Sequence, residues 1–264
     1  MSSLSALKIE RDGGVLRVTI AKPERRNAFD AALIAELTDV FADVDDVRAV
    51  MLAGEGSSFC AGADVEWQRA SIDLSYDENV ADAMRLYRML ETIDACPAPV
   101  VARVQGFALG GGSGLVACAD VAVAGPDAVF GFTEVRLGII PAVISPFVLT
   151  RIGPGAARRY FLTGERFGAD AALRVGLVHE VAEDLDGAVE RVTRDLLAAG
   201  PEAVRAAKRL IRDRPEGKAT AHVAAGLRTS PEGQEGLRAF LEKRPATLSS
   251  GDTWGVYAGE PEPR

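Results

Sequence analysis

Two short glycine-rich segments could do chemistry together: Phe59-Cys60-Ala61-Gly62-Ala63-Asp64 and Ala108-Leu109-Gly110-Gly111-Gly112-Ser113-Gly114, followed by Phe130-Gly131-Phe132-Thr133-Glu134. Both are built from residues too small to shield their own main chain, so each can bring backbone N–H groups up to a bound molecule. Two such loops that meet in space can direct those donors at one developing negative charge. A carboxylate supplied by Glu134 could move a proton beside that charge. The combination predicts stabilisation of an enolate rather than hydrolysis or redox work.

Other readings of the same residues fail on spacing. A dinucleotide fingerprint starting at Gly110 requires glycine where Leu115 stands, and a phosphate loop requires Lys-Ser/Thr where Leu115-Val116 follow Gly114. A nucleophile elbow centred on Ser113 again requires glycine at Leu115, so Ser113 reads as a small packing residue. Cys60 has neither His179 nor His222 positioned by sequence to activate it, and a structural role is expected. No histidine, cysteine and carboxylate cluster has metal-ligand spacing, so no metal is expected.

The elements that must hold these loops are legible in outline. Val15 to Ile20 reads as a strand ending at Lys22-Pro23. Asp30 reads as the cap of a helix through Leu33, Leu37, Val40 and Phe41, whose spacing makes one apolar face. Val47 to Gly54 is a short buried strand leading into the first glycine loop, where an α/β architecture places ligands. Ser71 to Asn79 is polar and reads as a mobile loop, followed by a helix from about Asn79 to Cys96-Pro97. Val100 to Gln105 is a strand, the second glycine loop opens a small-residue helix through Leu115 and Cys118, and Val121–Ala124 and Val129–Phe132 are short strands. After Pro141 the chain reads as mostly helical, with Pro154 suited to a helix first turn and a last strand over Val178 to Val181. From Pro201 onward no strand is expected; Pro215, Pro231 and Pro245 divide two or three helices. A soft boundary near Gly200 gives a region 1–200 carrying the site and a helical region 201–264, with a loose tail from Ser249 to Arg264.

Composition narrows the function. The chain has 264 residues, 48% of them apolar, which is ample for a core, and a formal charge of −8. No basic run suits a nucleic-acid groove. Met1 to Glu10 is too short and polar for a secretory signal, and no stretch offers the ~18 apolar residues of a membrane span. The three cysteines, Cys60, Cys96 and Cys118, are scattered and odd in number, as expected of free thiols in a reducing cytoplasm.

In order and separation, the two glycine loops and Phe130 to Gly138 resemble the enoyl-CoA hydratase/isomerase (crotonase) superfamily. Lys22-Pro23-Glu24-Arg25-Arg26-Asn27-Ala28 is similar to its N-terminal signature, and Leu162 to Phe167 with Ala171 and Gly176-Leu177-Val178 to its later one. Glu235 to Arg244 is similar to its C-terminal segment. The resemblance covers nearly the whole chain. It implies an α/β fold, a spiral of ββα units ending in a helical trimerisation region, with a homotrimer or a dimer of trimers as the assembly. It also implies coenzyme A thioester substrates with no separate cofactor.

Carried over position by position, the resemblance makes the backbone N–H groups of Ala63 and Gly111 the oxyanion donors and Glu134 the catalytic acid/base. The coenzyme thioester would lie along Arg25, Arg26 and Ala28 and against Ala61, Asp64 and Val65. Gly114 would border the reacting carbons, and Lys243 would reach the coenzyme from the C-terminal region. Two departures stand out. The superfamily's hydratases carry a second catalytic glutamate where this chain has Gly114, so one carboxylate must do both jobs in sequence, or a water or substrate group must help; single-glutamate members of the superfamily include double-bond isomerases. A glycine-rich stretch common in hydratases is replaced by Pro141-Ala142-Val143-Ile144-Ser145-Pro146-Phe147. Both departures look like the bacterial methylglutaconyl-CoA hydratases of leucine breakdown. A glutaconyl substrate would bring a free carboxylate, for which Arg69, Arg85 and Arg136 are candidate partners. The expected activity is hydration of a 2-enoyl-CoA; the alternatives are Δ3-Δ2-enoyl-CoA isomerisation, or acyl-CoA binding without catalysis.

Overall fold

The computed structural model describes residues 6–44, 46–247 and 253–255. Its frame is a six-stranded sheet in the order β1 (Leu7–Asp12), β2 (Val15–Ile20), β3 (Ala49–Gly54), β4 (Val100–Val104), β6 (Val121–Ala124) and β9 (Glu180–Val181). β1 pairs antiparallel with β2, and every later neighbour is parallel. The central strand Ala-Val-Met-Leu-Ala-Gly is buried throughout, as a parallel strand covered on both faces must be. Alternation sorts its side chains: Val50 and Leu52 face the main core, while Met51 joins Val15, Val101 and Val123 on the opposite face. That second face is closed by α7 (Leu185–Leu197) through Leu185, Ala188 and Val189.

A second, smaller sheet runs beside the first: β5 (Phe107–Leu109), β7 (Val129–Gly131) and β8 (Arg166–Gly168). Single bridges, Phe29 with Ala63 and Cys60 with Ala108, continue it towards the N-terminus. Each turn of the chain therefore places one strand in the large sheet, one segment in the small one and then a helix. β4, β5 and α4 (Gly111–Cys118) make one such turn; β6, β7 and α5 (Ser145–Thr163) make the next. This is the expected spiral of ββα units. The glycine loops are where successive turns pass from strand to helix.

Local chemistry explains the helices. α1 (Ala31–Ala42) starts where the Leu33 N–H donates to the Asp30 carboxylate (2.9 Å), and it buries Leu33, Ile34, Leu37 and Phe41. α5 bends at Gly153 (φ 70°, ψ 163°), and Pro154 opens its second half, where a missing N–H costs nothing. α6 (Ala169–Arg174) leads into β9.

The polar stretch from Ser71 to Asn79 is not a loop throughout. α2 (Val65–Ser71) ends there and α3 (Tyr76–Asp94) begins at Tyr76, three residues earlier than expected. The reason is a capping box: the Glu78 N–H donates to the Ser75 hydroxyl (3.3 Å), and the Ser75 N–H donates to the Glu78 carboxylate (2.8 Å).

Beyond Gly200 three helices follow, α8 (Pro201–Asp213), α9 (Lys218–Thr229) and α10 (Pro231–Glu242). The expectation that this region holds no strand is wrong. β10 (Ala246–Thr247) pairs with β11 (Thr253–Trp254), burying Trp254 against Ala239 and Ala246. Other than Thr253 to Gly255, the tail from Ser249 lies outside the described residues. α8 is bound to the sheet by cations: Arg205 donates to the Val47 carbonyl (2.9 Å) and Lys208 pairs with Asp120 (2.6 Å). The buried Glu232 carboxylate of α10 accepts from the Glu202 and Ala203 N–H groups (2.8 and 2.9 Å), capping the start of α8.

Candidate active site

The two glycine loops lie side by side in parallel register. The Cys60 N–H donates to the Phe107 carbonyl (2.9 Å) and the Leu109 N–H donates to the Cys60 carbonyl (3.0 Å), the two bonds of a parallel bridge centred on Cys60 and Ala108. Two residues on, Gly62 (φ 94°) is so close to the second loop that a Cβ there would stand 2.8 Å from the Leu109 carbonyl oxygen and 4.0 Å from Gly110 Cα. One residue further lie Ala63, bridged to Phe29, and Gly111, where a Cβ would stand 2.7 Å from Phe29 Cε2.

Neither Ala63 nor Gly111 spends its N–H. On one side Ala63 is flanked by the Phe29 strand, where the Phe29 N–H donates to the Gly62 carbonyl (2.8 Å) and the Asp64 N–H to the Phe29 carbonyl (2.7 Å). That pattern turns the Ala63 N–H away from Phe29, towards the second loop. Gly111 is the first residue of α4, so its N–H lies among those a helix leaves without an internal acceptor, at the positive end of the helix dipole. Among the described residues, neither N–H donates to any acceptor.

Glu134 completes the group. The Gly110 N–H donates to the Gly131 carbonyl (2.8 Å), which locks the end of β7 to the second loop. The chain then enters a 3-10 turn, Thr133–Leu137, whose second residue is Glu134. Gly110 has φ 52° and ψ −118°, and a Cβ on it would stand 3.0 Å from Glu134 Oε1. Here glycine serves both conformation and access. Glu134 Oε2 is buried without a hydrogen-bond partner among the described residues. Burial pushes the carboxyl above its ordinary range, opposed only by its own main-chain N–H. A group with raised proton affinity and an unspent oxygen suits proton transfer.

One helical turn away the surroundings change. The Gly114 N–H donates to the Gly110 carbonyl (3.0 Å), so the two glycines are stacked along α4. A Cβ on Gly114 would come within 2.6 Å of Ile144 Cγ2, 3.1 Å of Ile144 Cβ and 3.7 Å of Leu90 Cδ2. The position from which a second carboxylate would project is filled by hydrocarbon. The two sequence departures, at Gly114 and at Pro141 to Phe147, are therefore one packing event.

Several residues expected at the thioester are tied to one another. Arg25 forms an ion pair with Asp64 (2.9 Å), and the Asp64 carboxylate also caps α2 by accepting from the Glu66 N–H (2.8 Å). Burial acts to raise the Asp64 pKa, but Arg25 and the N–H groups of Glu66 and Trp67 hold it below the ordinary range. The Arg26 carbonyl accepts from the Ala61 N–H (3.0 Å), and its guanidinium lies over the Phe107 ring at 5.5 Å from the centroid. Ala28 is buried and Val65 is exposed at the start of α2. Lys243 caps α10 in the C-terminal region, where the helix packs on α9 and β10, so the structure does not bring it to the loops. Arg69 pairs with Glu66 (3.0 Å) and Arg85 with Asp82 (2.5 Å), while Arg136 is exposed beside Gly164.

Other candidates have structural work. The Ser113 hydroxyl donates to the Ala108 carbonyl (2.6 Å) in a buried setting. Burial pushes the Cys60 thiol up to about 12, which leaves it inert at neutral pH. His179 accepts from the Ala122 N–H (3.0 Å), away from Cys60. Among the described residues no group of histidine, cysteine and carboxylate side chains could hold a metal ion.

Sequence reasoning missed two positions. Asn27 is fully buried: its amide donates to the Glu55 and Ser58 carbonyls (2.9 and 2.7 Å) and its oxygen accepts from the Lys22 N–H (2.9 Å). It clips the N-terminal signature to the first loop. Ile144 is the other, and its signal was the change at Gly114.

Comparison with known proteins gives the family. Residues 10–250 match the family model described as enoyl-CoA hydratase/isomerase. The chain belongs to that family. A crotonyl-CoA hydratase of Syntrophomonas wolfei is 33% identical over 255 residues, covering 92% of this chain and 97% of the relative. A short-chain-enoyl-CoA hydratase of Clostridium acetobutylicum is 33% identical over 254 residues, covering 91% and 96%. The crystal structure of an enoyl-CoA hydratase from Shewanella pealeana superposes with a TM-score of 0.89 at 38% identity, covering 93% of this chain and 97% of that one. The fold is thus the crotonase fold, with a helical C-terminal region.

Proposed function

We propose that this crotonase-family enzyme reversibly hydrates a 2-enoyl-CoA thioester, with Glu134 as acid/base and the Ala63 and Gly111 N–H groups as the oxyanion donors. The observation that carries the proposal is the pair of unspent N–H groups beside the close approach of the two loops, with the Glu134 carboxylate against Gly110. Glu134 takes a proton from water as the water oxygen bonds C3. The C2=C3 pair moves onto C2 and into the carbonyl, whose oxygen is held by the two N–H groups. Glu134 then returns the proton to C2 and the carbonyl re-forms, so one water is added and nothing leaves. An oxyanion donor of this kind contributes ~2.7–4 kcal/mol to the transition state.

The substrate we favour is a branched glutaconyl thioester such as 3-methylglutaconyl-CoA, in keeping with the resemblance around Gly114 and Pro141 to Pro146. Arg136 is the candidate cation for its free carboxylate, because Arg69 and Arg85 are paired within their own helices. Arg25, Arg26, Ala28, Ala61 and Asp64 would line the coenzyme, with Val65, Gly114 and Lys243 at its margins. Lys243 would do so in the proposed homotrimer or dimer of trimers. The three buried thiols fit a cytoplasmic setting, and no helix among the described residues is long and apolar enough to cross a membrane.

One specific observation favours a second reading, Δ3-Δ2-enoyl-CoA isomerisation: Ile144 stands where a second water-holding carboxylate would be. Following enoyl absorbance with crotonyl-CoA and 3-methylglutaconyl-CoA, and product chromatography with a 3-enoyl-CoA, separates the readings. Turnover of the 2-enoyl substrates supports hydration. Tight coenzyme binding with no turnover of any of the three would leave a non-catalytic acyl-CoA binder and overturn the proposal.

A further inference from the structure

Hydration and double-bond migration differ in one material respect. Hydration takes up a water, whereas migration removes a proton from C2 and places one on C4 while the π pair shifts from C3–C4 to C2–C3. Both can use one carboxylate and one oxyanion site, so what divides them is room for a held water. We infer that Ile144 is a specificity-determining residue: by filling the space over Gly114, one helical turn from the Glu134 carboxylate, it restricts water at the reacting carbons and sets the balance between hydration and double-bond migration. This rests on the enoyl-CoA reading above.

Ile144 is held firmly enough to act in this way. It is 2% exposed, sits at the start of α5, and meets Gly114 together with Leu90, which is fully buried. Gly110, the N-cap of α4, and Gly114 are joined by the Gly114 N–H to Gly110 carbonyl bond, so the two glycines stand about one helical pitch apart, ~5.4 Å; the carboxylate lies against the first and the sec-butyl group of Ile144 against the second. Among the described residues Glu134 Oε2 has no hydrogen-bond partner, and the side chains against Gly114 are the hydrocarbons Ile144 and Leu90. Trimming Ile144 to alanine removes three carbons, and a water needs ~30 Å³ and polar partners, which Glu134 and the substrate carbonyl would provide.

The test compares the parent with Ile144→Val and Ile144→Ala, using crotonyl-CoA for hydration and trans-3-hexenoyl-CoA for migration. Val148→Ala, a buried change elsewhere in α5, controls for a general loss of packing. The ratio of hydration to migration in kcat/KM should rise at least about fivefold in Ile144→Ala, less in Ile144→Val, and not in Val148→Ala. Carbon-13 NMR of the Glu134 carboxyl gives a readout that needs no turnover: it should titrate at lower pH in Ile144→Ala as water enters. A ratio within about twofold of the parent's, or in an inactive protein an unmoved Glu134 titration, would overturn the assignment of Ile144. If the parent turns over neither substrate the enoyl-CoA reading has failed, and the titration still judges whether Ile144 keeps Glu134 dry. Should Ile144→Ala not fold, the smaller Ile144→Val change decides by the same two measurements.

Discussion

The N-cap of α4 and the turn that follows it have opposite surroundings. Over Gly110 lie the Glu134 carboxylate and, beside it, two unspent N–H groups; over Gly114 lie Ile144 and Leu90. The contrast shows how one carboxylate can be made basic without a charged neighbour. Burial raises the proton affinity of Glu134, with no charged group contributing to the shift.

Replacing the acid should have the largest effect. Glu134→Gln should lower kcat by ~10²–10⁴ while leaving coenzyme binding nearly intact, as steady-state rates and a binding titration will show. An active Glu134→Gln enzyme would erase the contrast between the two turns.

Next comes the apolar side. Gly114→Ala places a methyl 2.6 Å from Ile144 Cγ2 and should cost ~1–3 kcal/mol of stability by overpacking. On an Ile144→Ala background, itself destabilised, the same methyl should cost little, because the space it needs is already open. Denaturant unfolding of the four proteins in the cycle measures the coupling, and strict additivity would deny that the two positions share one space. A smaller effect is expected at the loop's outer edge. Asp64→Ala removes the cap of α2 and the partner of Arg25 and should cost ~0.5–2 kcal/mol by the same measurement.

The smallest effect concerns pH. Because the folded-state pKa of Glu134 lies above its unfolded value, the protein gains stability from this group at pH below the unfolded pKa and loses it as pH rises through the folded pKa. Glu134→Gln should therefore be the more stable protein near neutrality, with the difference vanishing in acid. Thermal melts of parent and variant across pH 4 to 8, roughly the span of carboxyl titration, follow it.

What could be read from the residues alone depended on how local each cause was. The Asp30 cap and the apolar face of α1 lie within a dozen residues and were legible. So was the Pro154 start, whose signal is the proline itself. The Ser75–Glu78 capping box was equally local, yet the polarity around it suggested a loop and concealed the start of α3. β5, β8, β10 and β11 span two or three residues, too few for a period of two to register, and they exist because neighbours pair with them. At the site, the loops and Glu134 were recognisable by resemblance. Ile144 against Gly114 and Arg25 against Asp64 join residues far apart in the chain, and only the turns of the spiral bring them together.

The most direct test of the central claim is a crystal structure with an acyl-CoA thioester bound. The thioester oxygen should lie ~2.7–3.1 Å from both the Ala63 and Gly111 nitrogens, with the Glu134 carboxylate facing C2 and C3. A thioester carbonyl seated elsewhere, with either N–H still unspent, would contradict it.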